Sequence, residues 1–378
     1  MAERPWGFWT ESKLDMLSAY LPAFTTASKK APSTVYLDLF AGQATNVSRD
    51  IGRPIEGSLL RALQTKPPFT VVRGFELRHK RAQSLQEAFR AEFPNRDVVV
   101  HAGDVHDALQ PALAALTEYR WSPTFAFIDP DGVEARWELL EALATHKART
   151  STKVELFLLL VSPQIVRVVN NSNNSNNSLG PDDLHHREQR VTDLFGSTEW
   201  RPILDGRQSG ALDAERTRDE LTNLMRWRLE KTLGYGFTHT LRLTNVYGVP
   251  LYDMIFATDH AIGDKIMRSV YQKAAERFPA MRQEARARRR DRKELESGFN
   301  PFFTHAELAQ HTPLRAMSPI STFRRFRRMA RPSPCRCRIP GPVSSSAARS
   351  APIGAESDGS SPRWSWPPTP LGSSHCSG

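Results

Sequence analysis

The chain has 378 residues, 39% of them hydrophobic and 24% charged, which is enough for the packed core of one large domain or two ordinary ones. The formal net charge of +10 is uneven: residues 1–279 carry 34 basic and 34 acidic side chains, residues 280–331 carry 13 and 5, and residues 332–378 carry 4 and 2. General attraction to nucleic acid is therefore expected only of the Arg-rich C-terminal region. The three cysteines, Cys335, Cys337 and Cys376, all lie in the tail, which excludes a disulfide framework or a thiolate metal site in the body. No apolar run approaches a membrane helix in length, so no membrane partner is expected. The N-terminus lacks a signal-peptide apolar region, making the cytoplasm the expected location.

In chain order, Leu14, Leu17, Leu21 and Phe24 keep helical spacing behind Thr10, a residue suited to capping the first turn. Val35–Phe40 reads as a buried strand running into a loop of small residues, with residues 51–58 as loop and a helix over 57–65. Strands follow at 70–76, 97–102, 124–129 and 154–161, alternating with helices at 79–93, 105–116 and 135–146. This alternation predicts a parallel sheet covered on both faces. Strands at 237–244 and 251–258 are joined by too short a connection for anything but an antiparallel hairpin. The expected fold class is α/β, Rossmann-like, with seven strands, mostly parallel, and an antiparallel last strand. A low-complexity Asn/Ser tract and a helical insertion occupy 170–235, and a closing helix covers 262–278. The expected domains are a body over 1–280, with an N-terminal helix within 1–30, a basic helical extension over 281–331 and a disordered tail over 332–378.

Four predicted strand ends carry residues suited to a nucleoside cofactor. The first is Asp38-Leu39-Phe40-Ala41-Gly42, where glycine lets the ligand approach the backbone and the next helix offers free N–H groups. The second is Phe75-Glu76, an acid placed to accept ribose hydroxyls. The third is Ala102-Gly103-Asp104-Val105, where Asp104 suits an adenine amino group and Val105 its ring, and where Asp104 also suits a helix cap. The fourth is Phe127-Ile128-Asp129-Pro130-Asp131-Gly132, which projects Asp129 and Asp131 as candidate catalytic residues from the carboxyl edge of the sheet. Two acids could also hold Mg²⁺, but adjacent-but-one acids at a turn are common without metal, so no metal site is assigned.

These residues resemble a known family. Trp9-Thr10-x-x-Lys13-Leu14, Tyr36-x-Asp38-x-Phe40-Ala41-Gly42, Glu56-Gly57-Ser58, Gly103-Asp104, Phe127-Ile128-Asp129-Pro130-x-Gly132, Leu194-Phe195-Gly196 and Pro250-Leu251-Tyr252 are similar to motifs of the bacterial three-Cys-motif partner proteins, TcmP. The resemblance covers roughly residues 6–280 and implies a class I S-adenosylmethionine methyltransferase fold. By it, Asp38, Phe40, Ala41, Gly42, Glu76, Asp104 and Val105 would bind S-adenosylmethionine, and Asp129 and Asp131 would serve the acceptor. The partner it implies is a three-Cys-motif protein. The chain has Ala44 where such loops usually carry Gly, and Asp129-Pro130-Asp131-Gly132 where amino-methylating enzymes read Asp/Asn-Pro-Pro-aromatic. These departures keep open a non-catalytic module acting with a partner or on nucleic acid through the C-terminal region. A hydrolytic nuclease ranks third, since it needs the Asp129/Asp131 metal site.

Overall fold

The computed structural model describes residues 5–49, 52–147, 150, 152–170, 181–297 and 304–305. The first half runs α1 (Phe8–Ala27), β1 (Val35–Asp38), β2 (Thr45–Val47), β3 (Pro54–Glu56), α2 (Ser58–Gln64), β4 (Val71–Glu76), α3 (His79–Glu92), β5 (Asp97–Ala102), α4 (Val105–Ala115), β6 (Thr124–Ile128), α5 (Trp137–His146) and β7 (Glu155–Leu160). Then come α6 (Ser162–Asn170), α7 (Pro181–Phe195), α8 (Arg201–Gln208), α9 (Ala214–Lys231), β8 (Phe237–Thr244), β9 (Pro250–Thr258) and α10 (Ala261–Glu296). All described residues belong to one compact unit.

Seven strands form one sheet in the order β5-β4-β1-β6-β7-β9-β8. The pairs joining β5, β4, β1, β6 and β7 are parallel, while β9 is antiparallel to both β7 and β8. The α/β architecture and the backward-running last strand agree with the sequence reading.

Alternation along the strands sorts the core into two layers. Leu37, Leu39, Ala126, Ile128, Leu156 and Leu158 face one way, against α4, α5 and the helical insertion. Tyr36, Phe125, Phe127, Phe157 and Phe256 face the other way and pack with Tyr20 and Phe24 of α1. Strands buried on both faces read as unbroken apolar runs, which is why β6 and β7 are legible in the sequence.

Three details differ from the sequence reading. Helix α1 begins at Phe8 behind Gly7, with no side-chain cap. Thr10 lies inside the first turn, and its side chain hydrogen-bonds the Tyr252 phenol. The expected loop at 51–58 contains β3, which pairs with β2 as an antiparallel ribbon. Helix α10 has 36 residues and crosses the expected boundary at 280 without a break. Its Arg-rich half packs on the body, because Ala285 and Ala287 are buried there. The Asn/Ser tract at 171–178 and the tail over 332–378, with its cysteines, lie outside the described residues.

At the sheet edge where β7 begins, Glu155 is buried between two hydroxyls, Tyr20 Oη at 2.5 Å and Thr258 Oγ1 at 2.8 Å, both donating to it. Burial pushes its carboxyl up to about 7, against the partial relief of those bonds. An acid with a raised folded-state pKa keeps a proton that the unfolded chain releases, so its stabilising effect is present at low pH and fades as pH rises toward 7. Asp38, also raised to about 7 by burial, acts in the same direction. We expect the urea midpoint of the wild type to fall between about pH 5 and pH 7, and the fall to be shallower in Glu155→Gln. Equal slopes in the two proteins would contradict this account.

Candidate cofactor cleft

A cleft of about 530 Å³ opens at the carboxyl edge of the parallel strands. It lies where β1 is flanked by β4 on one side and β6 on the other, the switch point at which open α/β sheets bind ligands. Its walls come from all four of the predicted strand ends.

The β1 loop contributes Phe40 and Gly42. Gly42 has φ of +62°, a left-handed conformation costly to any residue with a Cβ. The loop is clamped from behind by the start of α2: Gly57 N donates to the Ala44 carbonyl at 2.6 Å, and a Cβ at Gly57 would overlap the Gln43 carbonyl oxygen. This explains the Glu56-Gly57-Ser58 motif. Ala44 packs toward the α1/α2 layer and is not part of the cleft wall.

Asp38 and Ala41 are placed differently from the sequence reading. Both are buried, and neither lines the cleft. Alternation is the reason. Leu37 and Leu39 occupy one layer, so Asp38 turns with Tyr36 into the other and lies beneath the loop. Tyr36 Oη donates to Asp38 Oδ2 at 3.2 Å, whereas the buried Asp38 Oδ1 has no hydrogen-bond partner among the described residues. Desolvation dominates the raised carboxyl; the Ser58 hydroxyl opposes it, and the nearby Asp129 charge adds to it. Ala41 N donates to the Phe75 carbonyl at 2.9 Å, tying the loop to β4.

Glu76 ends β4 and lines the cleft with its carboxylate almost covered. Oε1 accepts the Arg78 backbone N–H at 2.9 Å, and Oε2 lies 3.5 Å from Arg81. A carboxylate has lone pairs beyond these two, so Glu76 keeps accepting capacity toward a ligand. Leu77 follows it and is 68% exposed in the cleft. From β5, Gly103 adopts φ of +112° and donates to the Glu76 carbonyl at 3.0 Å. Asp104 is the N-cap of α4: Oδ1 accepts from His106 N at 2.9 Å and contacts His106 Nδ1 at 2.6 Å. The His106 N–H holds its carboxyl below the ordinary range. Val105 is buried beside it and lines the same wall.

Asp129 and Asp131 both line the β6 end of the cleft. Asp129 forms an ion pair with Lys13 of α1, whose side chain is only 8% exposed. Its charge also reaches the Tyr252 phenol and helps raise that group well above its ordinary pKa, after burial. Asp131 is held through its backbone, its carbonyl accepting from Gln164 Nε2 at 3.0 Å. Gly132 serves that approach, since a Cβ there would overlap the Gln164 carboxamide.

Of the nine predicted site residues, the cleft brings together Phe40, Gly42, Glu76, Asp104, Val105, Asp129 and Asp131. Sequence reasoning about strand ends missed Lys13, Leu77, Arg81 and Tyr252. Lys13 and Tyr252 carried a signal, since they belong to Trp9-Thr10-x-x-Lys13-Leu14 and Pro250-Leu251-Tyr252, far from any strand-end acid. Leu77 carried a weaker one, an apolar side chain just past a strand-end glutamate.

No protein-family profile and no curated protein matches the chain. Among solved structures, the chain is similar to protein LPL1258 from Legionella pneumophila str. Philadelphia 1, of the family DUF519. The TM-score is 0.43 at 11% identity, over 72% of this chain and 93% of that one. A likeness at that level supports no argument about function.

Gly57→Ala should destabilise the protein by about 1–3 kcal/mol, the usual range for forcing a methyl group into a packed site. Thermal unfolding would show it, and an unchanged midpoint would mean that the α2 clamp on the loop is dispensable.

Proposed function

We propose that the protein is an S-adenosylmethionine-dependent methyltransferase of the TcmP type. The observation that carries this reading is the convergence of four strand-end motifs on one cleft at the switch point of the sheet. The reversed seventh strand, inserted between the fifth and sixth, supports the same class.

The residues present fit such a cofactor. Gly42 and Gly103 leave the backbone open, with no heavy atom nearer than 3.9 Å to a Cβ built at either. Phe40 and Gly42 would flank the methionine part, while the unpartnered Asp38 Oδ1 lies beneath that loop. Glu76 would accept the ribose hydroxyls. Leu77 and Val105 offer apolar surface to the adenine ring, and Asp104 a carboxylate to its amino group. When bound, the cofactor supplies an electrophilic methyl group. The protein's own contribution is positioning, which can account for much of a transfer rate. Asp129, oriented by Lys13, would accept a hydrogen bond from the acceptor and turn its lone pair toward the cleft. Asp131 stands beside it at the rim. A three-Cys-motif protein is the proposed partner, and co-purification with one would test that pairing.

Calorimetry with S-adenosylmethionine should show binding to the folded protein, and Leu77→Ala should weaken it about 10-fold, the effect of losing one to two kcal/mol of apolar burial. Absence of binding at millimolar cofactor in a folded sample would overturn the reading.

A further inference from the structure

A chain of contacts leads from Asp129, at the β6 end of the cleft, through α1 to the arginines of α10. Lys13, which holds Asp129, stands one helical turn after Trp9 on the same face of α1. The Arg49 guanidinium lies 4.7 Å from the centroid of the Trp9 ring. Trp6 and Arg49 are joined through the backbone at 2.7 Å, which fixes the ribbon against the start of α1. The second half of α10 packs on this assembly, with Phe278 and Phe8 at 5.4 Å between ring centroids. Arg286 donates to the Val246 carbonyl and Arg292 to the Arg49 carbonyl.

The kind of bond matters. Arg286 and Arg292 are anchored on neutral carbonyls, so their side chains are held without drawing on a carboxylate. Arg282 and Arg290 share a helical stripe with Arg286, at four-residue spacing. Among the described residues, none of these four arginines makes an ion pair with a carboxylate. Beside them is the turn between β8 and β9. Asn245 braces this turn, its side chain accepting from Tyr247 N at 2.9 Å and Val249 N at 3.1 Å. Tyr247 and Val249 nevertheless stand 68% and 55% exposed. Arg282 reaches the same turn, 3.2 Å from a Cβ built at Gly248. A row of guanidinium groups, two of them anchored, next to an outward aromatic ring on a braced turn is the chemistry that tracks a phosphate backbone and stacks an unpaired base.

We propose that this wall, formed by Arg282, Arg286, Arg290, Arg292 and Tyr247, is a docking surface for single-stranded nucleic acid, the class of molecule that presents the acceptor to the cleft. The acceptor assignment rests on the methyltransferase reading; the docking surface rests on the wall alone. A duplex has no unpaired base to offer Tyr247 and should bind more weakly.

The test is fluorescence anisotropy of the full chain with labelled RNA and DNA strands of about 12 nucleotides, and with their duplexes, between about 50 and 200 mM salt. Single strands should bind more tightly than duplexes, with a log–log salt slope near −3 for four phosphate contacts. Tyr247→Ala should weaken binding about 10-fold, and the double variant Arg282→Glu/Arg290→Glu should weaken it further and flatten the slope, with circular dichroism unchanged. The preferred strand type would tell RNA from DNA. Binding that survives all three substitutions would belong to the arginines beyond residue 305 and would overturn the proposal, as would equal affinity for duplexes. Cofactor calorimetry on the same samples separates the two readings. Cofactor binding with no strand binding defeats only the docking surface; strand binding with no cofactor binding defeats only the methyltransferase reading.

Discussion

The register of β1 between its two neighbours is the constraint from which the cleft follows. Val35 lies opposite Val71 on one side and Thr124 on the other, so Asp38 at the strand end meets Gly74 and Phe127. β1 is buried along its whole length, and a slip of one residue would move Tyr36 and Asp38 into the layer now filled by Leu37 and Leu39. With register pinned, the ends of β1, β4, β5 and β6 face one space. Gly74 shows how closely the layer fits, since a Cβ there would overlap the Leu59 side chain of α2. The loop after β1 is thus held by the strand in front and by α2 behind.

Among the described residues, buried acids are accommodated in two ways. Lys13 and Asp129 neutralise each other across the gap between α1 and the β6 end. Removing either partner would leave the other charge poorly solvated, an effect moderated by the partial exposure of Asp129. Asp253 is buried and accepts from Arg242, Thr222 and Ser162. Among the described residues, Glu155 and Asp38 have no cation at hydrogen-bond distance, and both take the other route open to a buried acid, a raised pKa. The two solutions fall at different places. The ion pair borders the cleft, where a charged group can meet a ligand, and the two raised acids lie under it or at the far edge.

Helix α10 links the body to the basic region. Its first half covers the sheet beside α1, where Met267 and Tyr271 are buried. Its second half carries the arginines along the ribbon and the β8–β9 turn. Removing residues from 281 onward would strip Ala285 from the cluster it shares with Phe8 and Val246. Truncation there would therefore disturb packing as well as charge, and single charge changes are the cleaner probe of this region.

Sequence periodicity determined the sheet, its parallel core, the reversed hairpin and the strand-end positions of Glu76, Asp104 and Asp129. These are local features: apolar runs, alternation, and small or acidic residues at the ends of runs. The motif spacing also marked Lys13 and Tyr252 without giving them a role. Tertiary structure alone decided that Lys13 answers Asp129 across 116 positions of chain, that Asp38 turns away from the cleft, and that the basic segment continues α10 and lies against the body. Each depends on which layer a side chain enters or what packs against it, and no local pattern encodes that. The loop at Asp38–Gly42 shows the division most clearly: its small residues mark a turn at the end of β1, but the parity of β1 decides that Gly42 meets the cleft while Asp38 supports it from below.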